Sequence, residues 1–495
     1  MKNRKSGILL HITSLPGKEG IGTLGKEAKQ FIDFLKETGQ KLWQILPLGP
    51  VGFGSSPYQC YSAFAGNPML IDLELLVEQN LLEEEDLAEL PKFTKRQVDF
   101  DKVEEWKYPV LQKAFGNFKD DVFENFRNSY YLFLDEHGWW LNDYALFMSA
   151  KQKLGDDVIW SDWEDELKFR YEAGLRKAGE ELAAAVDFQK FVQFLFFTQW
   201  HNLKSYANQN NIQIIGDVPL YVSGDSSDVW TNTDIFLLDD ELKPTEVGGV
   251  PPDYFSETGQ LWGNPVFNWP RLKERNYDWW MARLHFNLNM FDVIRIDHFR
   301  GLESFWSVPA NEDTAINGRW VPAYGHEMLS LIKSQLGYLP FIAEDLGIIT
   351  PEVDRLREFF SLPGMKVLQF AFTTDAANKD LPHNYERNFV VYTGTHDNDT
   401  TLGWLTAAEG EEKEFLEKYV SLNDKTALGK VLEMAVASVA NTAILPMQDI
   451  IGLDTKSRMN TPGTANGNWG WRFEWSQLKV GQKRFLANLT EKYNR

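Results

Sequence analysis

Residues 291–301 read FDVIRIDHFRG. Val293, Ile294 and Ile296 form a short apolar run that stops on Asp297 and His298, just before a Gly-bearing turn. An apolar run with a polar end is the pattern of a buried parallel strand whose C-terminal end carries function. Side chains alternate along such a strand, so Arg295 and Asp297 project to the same side of it. An Arg in that position keeps a carboxylate ionised and holds it still. Taken alone, the pair is equally well read as a structural clasp at the end of a barrel strand; the rest of the chain decides between the two.

Working outward, runs of the same kind occur at 7–11, 42–46, 212–217, 341–344, 366–370, 389–393 and 443–447. The first two flank a stretch in which Ala28, Phe31, Ile32 and Leu35 keep helical spacing and Gly39 supplies the stop. With 293–297 this makes eight strands, most of them separated by helical patterns, and predicts an α/β fold of the (β/α)8 TIM-barrel type. A bare barrel needs about 250 residues. The chain has 495, so large insertions are expected in the loops at the strand C-termini, where barrel active sites are built. The expected organisation is one catalytic barrel over 1–495, with a mostly helical inserted subdomain at 55–205 and an inserted substrate-loop subdomain at 218–290. Two separate domains are the alternative.

Composition narrows the partners. The net charge of −21 repels phosphate backbones and anionic lipid, so neither nucleic acid nor membrane is expected as a partner. Apolar stretches such as 194–197 are interrupted long before the ~20 residues that a spanning helix requires. The basic start MKNRKSG leads into only a few apolar residues and does not read as a signal peptide. Cys60 is the single cysteine, which rules out an internal disulfide and suggests a reducing, cytoplasmic setting.

Further acids stand at the ends of other runs. FIAEDLG puts Glu344 and Asp345 after one, and FVVYTGTHDNDT puts His396, Asp397 and Asp399 just beyond another. On a barrel three acids from different strands, Asp297, Glu344 and Asp397, converge on one mouth. Cleavage of a glycosidic bond needs such a set: a nucleophile or base, a proton donor, and negative charge for an oxocarbenium-like transition state. Crowding also raises the pKa of one acid, which then keeps its proton near neutral pH. Metal binding is the rival reading for His298 beside Asp297 and His396 beside Asp397. Adjacent strand residues face opposite ways and no His or Cys set completes a transition-metal site, so no metal is expected. The two imidazoles are assigned instead to sugar hydroxyls, with packing as the alternative. The stretch GGVPPDYFSETGQLWGNP clusters Tyr254, Phe255 and Trp262 among Gly and Pro. Any one ring is more simply a core residue; together they suggest a loop that stacks on pyranose faces.

HITSLPG, SPYQCYSAFAGNP, IIGDVPLYV, GGVPPDYFSETGQLWGNP, VIRIDHFRG, AEDLG, LPGMKVLQFAF, YTGTHDNDTTLGW and GNWGWR follow one another in an order similar to that of the amylomaltases, or disproportionating enzymes, of glycoside hydrolase family 77. The resemblance spans essentially the whole chain. It implies a 4-α-glucanotransferase that passes α-1,4-glucan segments between malto-oligosaccharides by retaining double displacement. Starch- or glycogen-derived α-1,4-glucans would serve as substrates and glucose as an acceptor, without metal or organic cofactor. The resemblance further implies that Asp297 is the nucleophile, Glu344 the general acid/base and Asp397 the transition-state stabiliser, supported by Arg295 and His396. It puts Asp217 at the donor sugar, with Tyr58, Asp253, Phe255, Gln260, Trp262 and Asn468 as further glucan contacts. The same carboxylates would serve an α-glucan hydrolase, and a catalytically silent glucan-binding barrel is the alternative from outside enzymology.

Overall fold

Each apolar run predicted as a barrel strand forms one. The computed structural model describes residues 4–120, 124–155, 157–252, 256–373 and 375–495. Along them run β1 (Lys5–Leu9), β2 (Leu42–Gln44), β3 (Gln213–Val218), β4 (Glu246–Val250), β5 (Gln260–Pro265), β6 (Val293–Ile296), β7 (Ser304–Pro309), β8 (Arg319–Pro322), β9 (Phe341–Ala343), β10 (Gly364–Val367), β11 (Phe389–Tyr392) and β12 (Thr442–Pro446). Eight of these form one parallel sheet in the order β10-β11-β12-β1-β2-β3-β6-β9. Ile8, Trp43, Ile214, Ile294, Val391 and Ile444 from these strands are all buried. The helix Lys26–Glu37 turns Ala28, Phe31, Ile32 and Leu35 inward as its spacing requires, and the Phe31 ring meets Trp43 of β2 with centroids 4.9 Å apart. The sheet closes between β9 and β10, where Ala343 N–H donates to the Pro363 carbonyl at 2.9 Å. That makes it the expected (β/α)8 barrel.

Strand boundaries shift by a few residues where the ladder, not the local hydropathy, sets them. The first strand begins at Lys5, because its pairing with β12 already starts there, opposite Thr442. The run at 366–370 divides: β10 ends at Val367 and Leu368–Phe370 coil into a 3-10 turn at the rim. There the Gln369 side chain donates to the Asp399 carbonyl at 2.8 Å.

Between β2 and β3 the chain is largely helical and includes Phe100–Asp120, Glu124–Leu154 and Ala183–Gln209. The last of these buries aromatic rings around most of its circumference, among them Phe188, Phe191, Phe196 and Trp200. A second sheet, antiparallel in the order β5-β4-β7-β8, has no counterpart in the sequence reading. It draws β4 and β5 from GGVPPDYFSETGQLWGNP, so the segment read as a loop is the two arms of a hairpin. β7 and β8 come from the connection between β6 and β9. Strands this short, punctuated by Gly and Pro, carry too little alternation to stand out from a loop.

Candidate active site

Asp217 lies near the end of β3, Arg295 is in β6 and Asp297 follows it directly, so the three share one rim of the barrel. Arg295 Nη1 donates to both Asp217 carboxylate oxygens at 2.7 Å and to Asp297 Oδ1 at 2.9 Å. Arg295 is buried, which alone would lower its pKa; the charges of Asp217 and Asp297 outweigh this and hold it well above its usual value. The alternation read from VIRID therefore holds, and Asp217 is the additional carboxylate that recruits the same cation. Tyr58, from the loop after β2, donates its hydroxyl to Asp217 Oδ2 at 2.8 Å. Burial, reinforced by the charge on Asp217, pushes the Tyr58 phenol well up, so it remains a donor.

Glu344 emerges directly from β9 on the neighbouring strand. Its Oε2 accepts the His298 N–H at 2.7 Å and its Oε1 accepts the Leu346 N–H at 2.9 Å. His298 reaches that position through a left-handed backbone conformation, φ 51°, unusual for a side chain of its size. Burial and the negative charge of Asp297 push the Glu344 carboxyl up to about 7, against the opposing pull of Arg295 and the two N–H groups. Of the three acids it is the one whose proton is retained to near neutral pH. Asp345 takes the other face: its Oδ1 accepts the Met365 N–H at 2.7 Å and its Oδ2 lies 3.1 Å from Arg357 Nε. It belongs to the barrel wall.

Asp397 sits on the loop beyond β11, half-buried, with Oδ2 3.4 Å from His396 Nε2 and Oδ1 accepting from Asn460 Nδ2 at 2.6 Å. His396 stacks on Tyr58 with centroids 5.2 Å apart and planes 18° from parallel, and Trp469 leans on both rings. These contacts join the Asp397 loop to the Asp217 end of the cluster. His11, at the end of β1, lies behind: burial, then the proximity of His396, pushes it down to about 3, so it is neutral.

The expected sugar contacts divide. Trp262 on β5 is half-buried and meets the His298 ring edge-on at 4.8 Å, and its indole N–H donates to Gln260 Oε1 at 3.2 Å. The hairpin therefore reaches the mouth beside Glu344. Burial pushes His298 down to about 4, and its Nε2 has no hydrogen-bond partner within the protein. Asn468 is engaged within its own loop, bonding the Thr461 N–H at 2.9 Å and the Thr464 carbonyl at 2.9 Å. Asp253, Tyr254 and Phe255 lie outside the described residues. Among the described residues no group of three or more His, Cys, Asp or Glu side chains is placed to hold a metal ion. His11, Arg458, Asn460 and Trp469 were not assigned from sequence; of these His11 stood inside the quoted motif HITSLPG and Trp469 inside GNWGWR.

A family model described as 4-alpha-glucanotransferase, glycoside hydrolase family 77, matches residues 10–478. The chain is 47% identical to a 4-alpha-glucanotransferase of Thermus thermophilus, covering 99% of each chain, and 48% identical to one of Synechocystis, covering 100% of this chain and 99% of the other. Among solved structures, the amylomaltase of Streptococcus agalactiae in complex with acarbose superposes with a TM-score of 0.96 at 42% identity, covering 99% of both chains. A match of this extent, over a barrel whose mouth gathers Asp297, Glu344 and Asp397, assigns the chain to the 4-α-glucanotransferases of glycoside hydrolase family 77.

Proposed function

We propose that the acids at the barrel mouth carry out retaining double displacement on α-1,4-glucans. The observation that supports this most directly is the grip of Arg295 on Asp297 beside a Glu344 carboxyl pushed up to about 7. In the first step an Asp297 oxygen attacks the anomeric carbon. The glycosidic C–O bond breaks, its electron pair passes to the leaving oxygen, and that oxygen takes the Glu344 proton. The departing chain leaves with a free 4-hydroxyl, and the donor segment stays as an ester on Asp297. In the second step Glu344, now a carboxylate, removes the proton from the 4-hydroxyl of an acceptor whose oxygen attacks the same carbon. The ester bond breaks and its electrons return to Asp297. Two inversions give net retention, and an acceptor sugar seated on the protein is positioned far better than a passing water.

In this reading Arg295, His298 and His396 orient the reacting sugar together with Asp217, Tyr58, Gln260 and Trp262, and Asp253, Tyr254, Phe255 and Asn468 are proposed as further glucan contacts. The substrates are malto-oligosaccharides and starch- or glycogen-derived chains, with glucose as an acceptor. The barrel carries the chemistry, and residues 55–205 and 218–290 act as inserted subdomains that shape the approach. The single, half-buried Cys60 suits a reducing cytoplasm. Incubation with pure maltotriose tests the function: a ladder of longer chains plus glucose, with the number of glycosidic bonds conserved, is expected. Net loss of bonds would mean hydrolysis, and unchanged maltotriose would mean a binding protein.

A further inference from the structure

The three acids at the mouth are anchored by different chemistry. Asp297 is held by a guanidinium and Glu344 by two backbone N–H groups, and both lie directly at strand ends. Asp397 stands further out on its loop with its side chain 45% exposed, and among the described residues its carboxylate pairs with no Lys or Arg. Its short contact is the neutral amide of Asn460, at 2.6 Å. Asn460 comes from the connection after β12, which is tied to the Asp397 segment repeatedly. Asn460 N–H donates to the His396 carbonyl at 3.1 Å, Arg458 Nη2 to the Asp397 carbonyl at 2.5 Å, and Thr455 Oγ1 to Asp399 Oδ2 at 2.8 Å. Arg458 Nε returns to the Asn460 carbonyl at 2.7 Å, so the guanidinium is used on backbone and forms no ion pair with the Asp397 carboxylate.

We infer that Asn460 is a positioning residue for glucan transfer, fixing the Asp397 carboxylate by a neutral donor. The inference rests on the proposed role of Asp397 as the negative charge facing an oxocarbenium-like transition state. That role requires a carboxylate that is both ionised and correctly placed. An N–H donated to it favours the ionised form and removes rotational freedom. A Lys or Arg at the same place would give equal order but cancel the charge. Arg295 shows what full ion pairing does elsewhere in the site: its one charge is shared between Asp217 and Asp297. Asn460 supplies order without neutralisation, and because the charge on the sugar develops only as the bond breaks, its effect falls on turnover and not on substrate binding.

Maltotriose disproportionation by the full chain and its variants tests this. Asn460→Ala is expected to lower kcat about 30-fold, near the lower end of what one lost electrostatic contact costs, with KM within about threefold. Asn460→Asp keeps the shape and the backbone bonds but sets a second carboxylate against Asp397; it is expected to lower kcat further, and it decides the matter if the Ala variant does not fold. In an Asp397→Asn background Asn460→Ala is expected to change kcat by less than about twofold, because the charge it positions is gone. Wild-type kcat in both Asn460 variants, or an undiminished loss in the Asp397→Asn background, would overturn the inference. Wild-type turnover in Asp397→Asn alone would instead overturn the role of Asp397 and take the inference with it.

Discussion

Glu344 is caught between opposing influences. Loss of water and the charge of Asp297 favour its protonated form, while Arg295 and two N–H donors favour the carboxylate, and the outcome is a group pushed up to about 7. A group balanced there suits a residue that must give a proton in one step and take one back in the next. The proposed first step needs Glu344 protonated, and the acid form predominates below about 7 and is lost progressively above it. kcat/KM for maltotriose is therefore expected to fall about tenfold per pH unit on the alkaline side, where each further unit removes nine-tenths of the remaining acid form. In Glu344→Gln that limb disappears, and kcat drops by about a thousandfold with KM little changed, since the amide keeps the shape, although its one oxygen accepts only one of the two N–H groups, and carries no transferable proton. A pH–rate profile of the two proteins, taken with glucose release as readout, checks both statements; wild-type turnover in the Gln variant would remove Glu344 from the chemistry.

At the scale of elements, β9 sets two adjacent acids to opposite uses. Glu344 turns into the mouth. Asp345 turns toward β10, where it bonds the Met365 N–H and pairs with Arg357 across the point at which the barrel closes. Asp345 and Arg357 are both buried, so truncating the acid leaves the Arg357 cation with only its longer, 3.4 Å contacts to Asp354 and Glu358. Asp345→Ala is expected to cost about 3 kcal/mol of stability, in line with the breaking of buried pairs, while kcat per folded molecule stays near wild type. Thermal melts beside kinetics would separate the two acids: loss of turnover without loss of stability in the Asp345 variant would contradict this division. The hairpin β4–β5 is the second element with consequences, because it carries Trp262 to within ring contact of His298 and so builds one wall of the mouth from outside the barrel.

The molecule as a whole carries a net charge of −21, yet the proposed ligands are uncharged glucans. Long-range steering has nothing to act on in that case. kcat/KM for maltotriose is expected to change by less than about twofold from ~0.01 M to ~0.15 M salt, although the Debye length falls from about 30 Å to about 8 Å over that range. A tenfold or larger dependence would mean that association depends on charge, and would count against a neutral substrate. In the proposed mechanism the chemistry is confined to a mouth where the strongest electrostatic contacts, such as those of Arg295 with Asp217 and Asp297, are short and local.

What could be read without coordinates is what depends on neighbours along the chain. Alternation in VIRID puts Arg295 and Asp297 on one side, and an apolar run ending in a polar residue marks a barrel strand; both follow from the period of a strand and hold wherever the strand ends up. The same logic, repeated at the ends of β6, β9 and β11, brought Asp297, Glu344 and Asp397 toward one mouth, while Asp217 was put there only by the resemblance. The tertiary structure alone decided that Asp217 shares Arg295, that Asn460 from the connection after β12 holds Asp397, that Asn468 turns into its own loop, and that β4, β5, β7 and β8 gather into a second sheet. Those contacts join segments tens to hundreds of residues apart, or depend on which rotamer a loop side chain takes. Barrel closure creates them, and no local spacing encodes them.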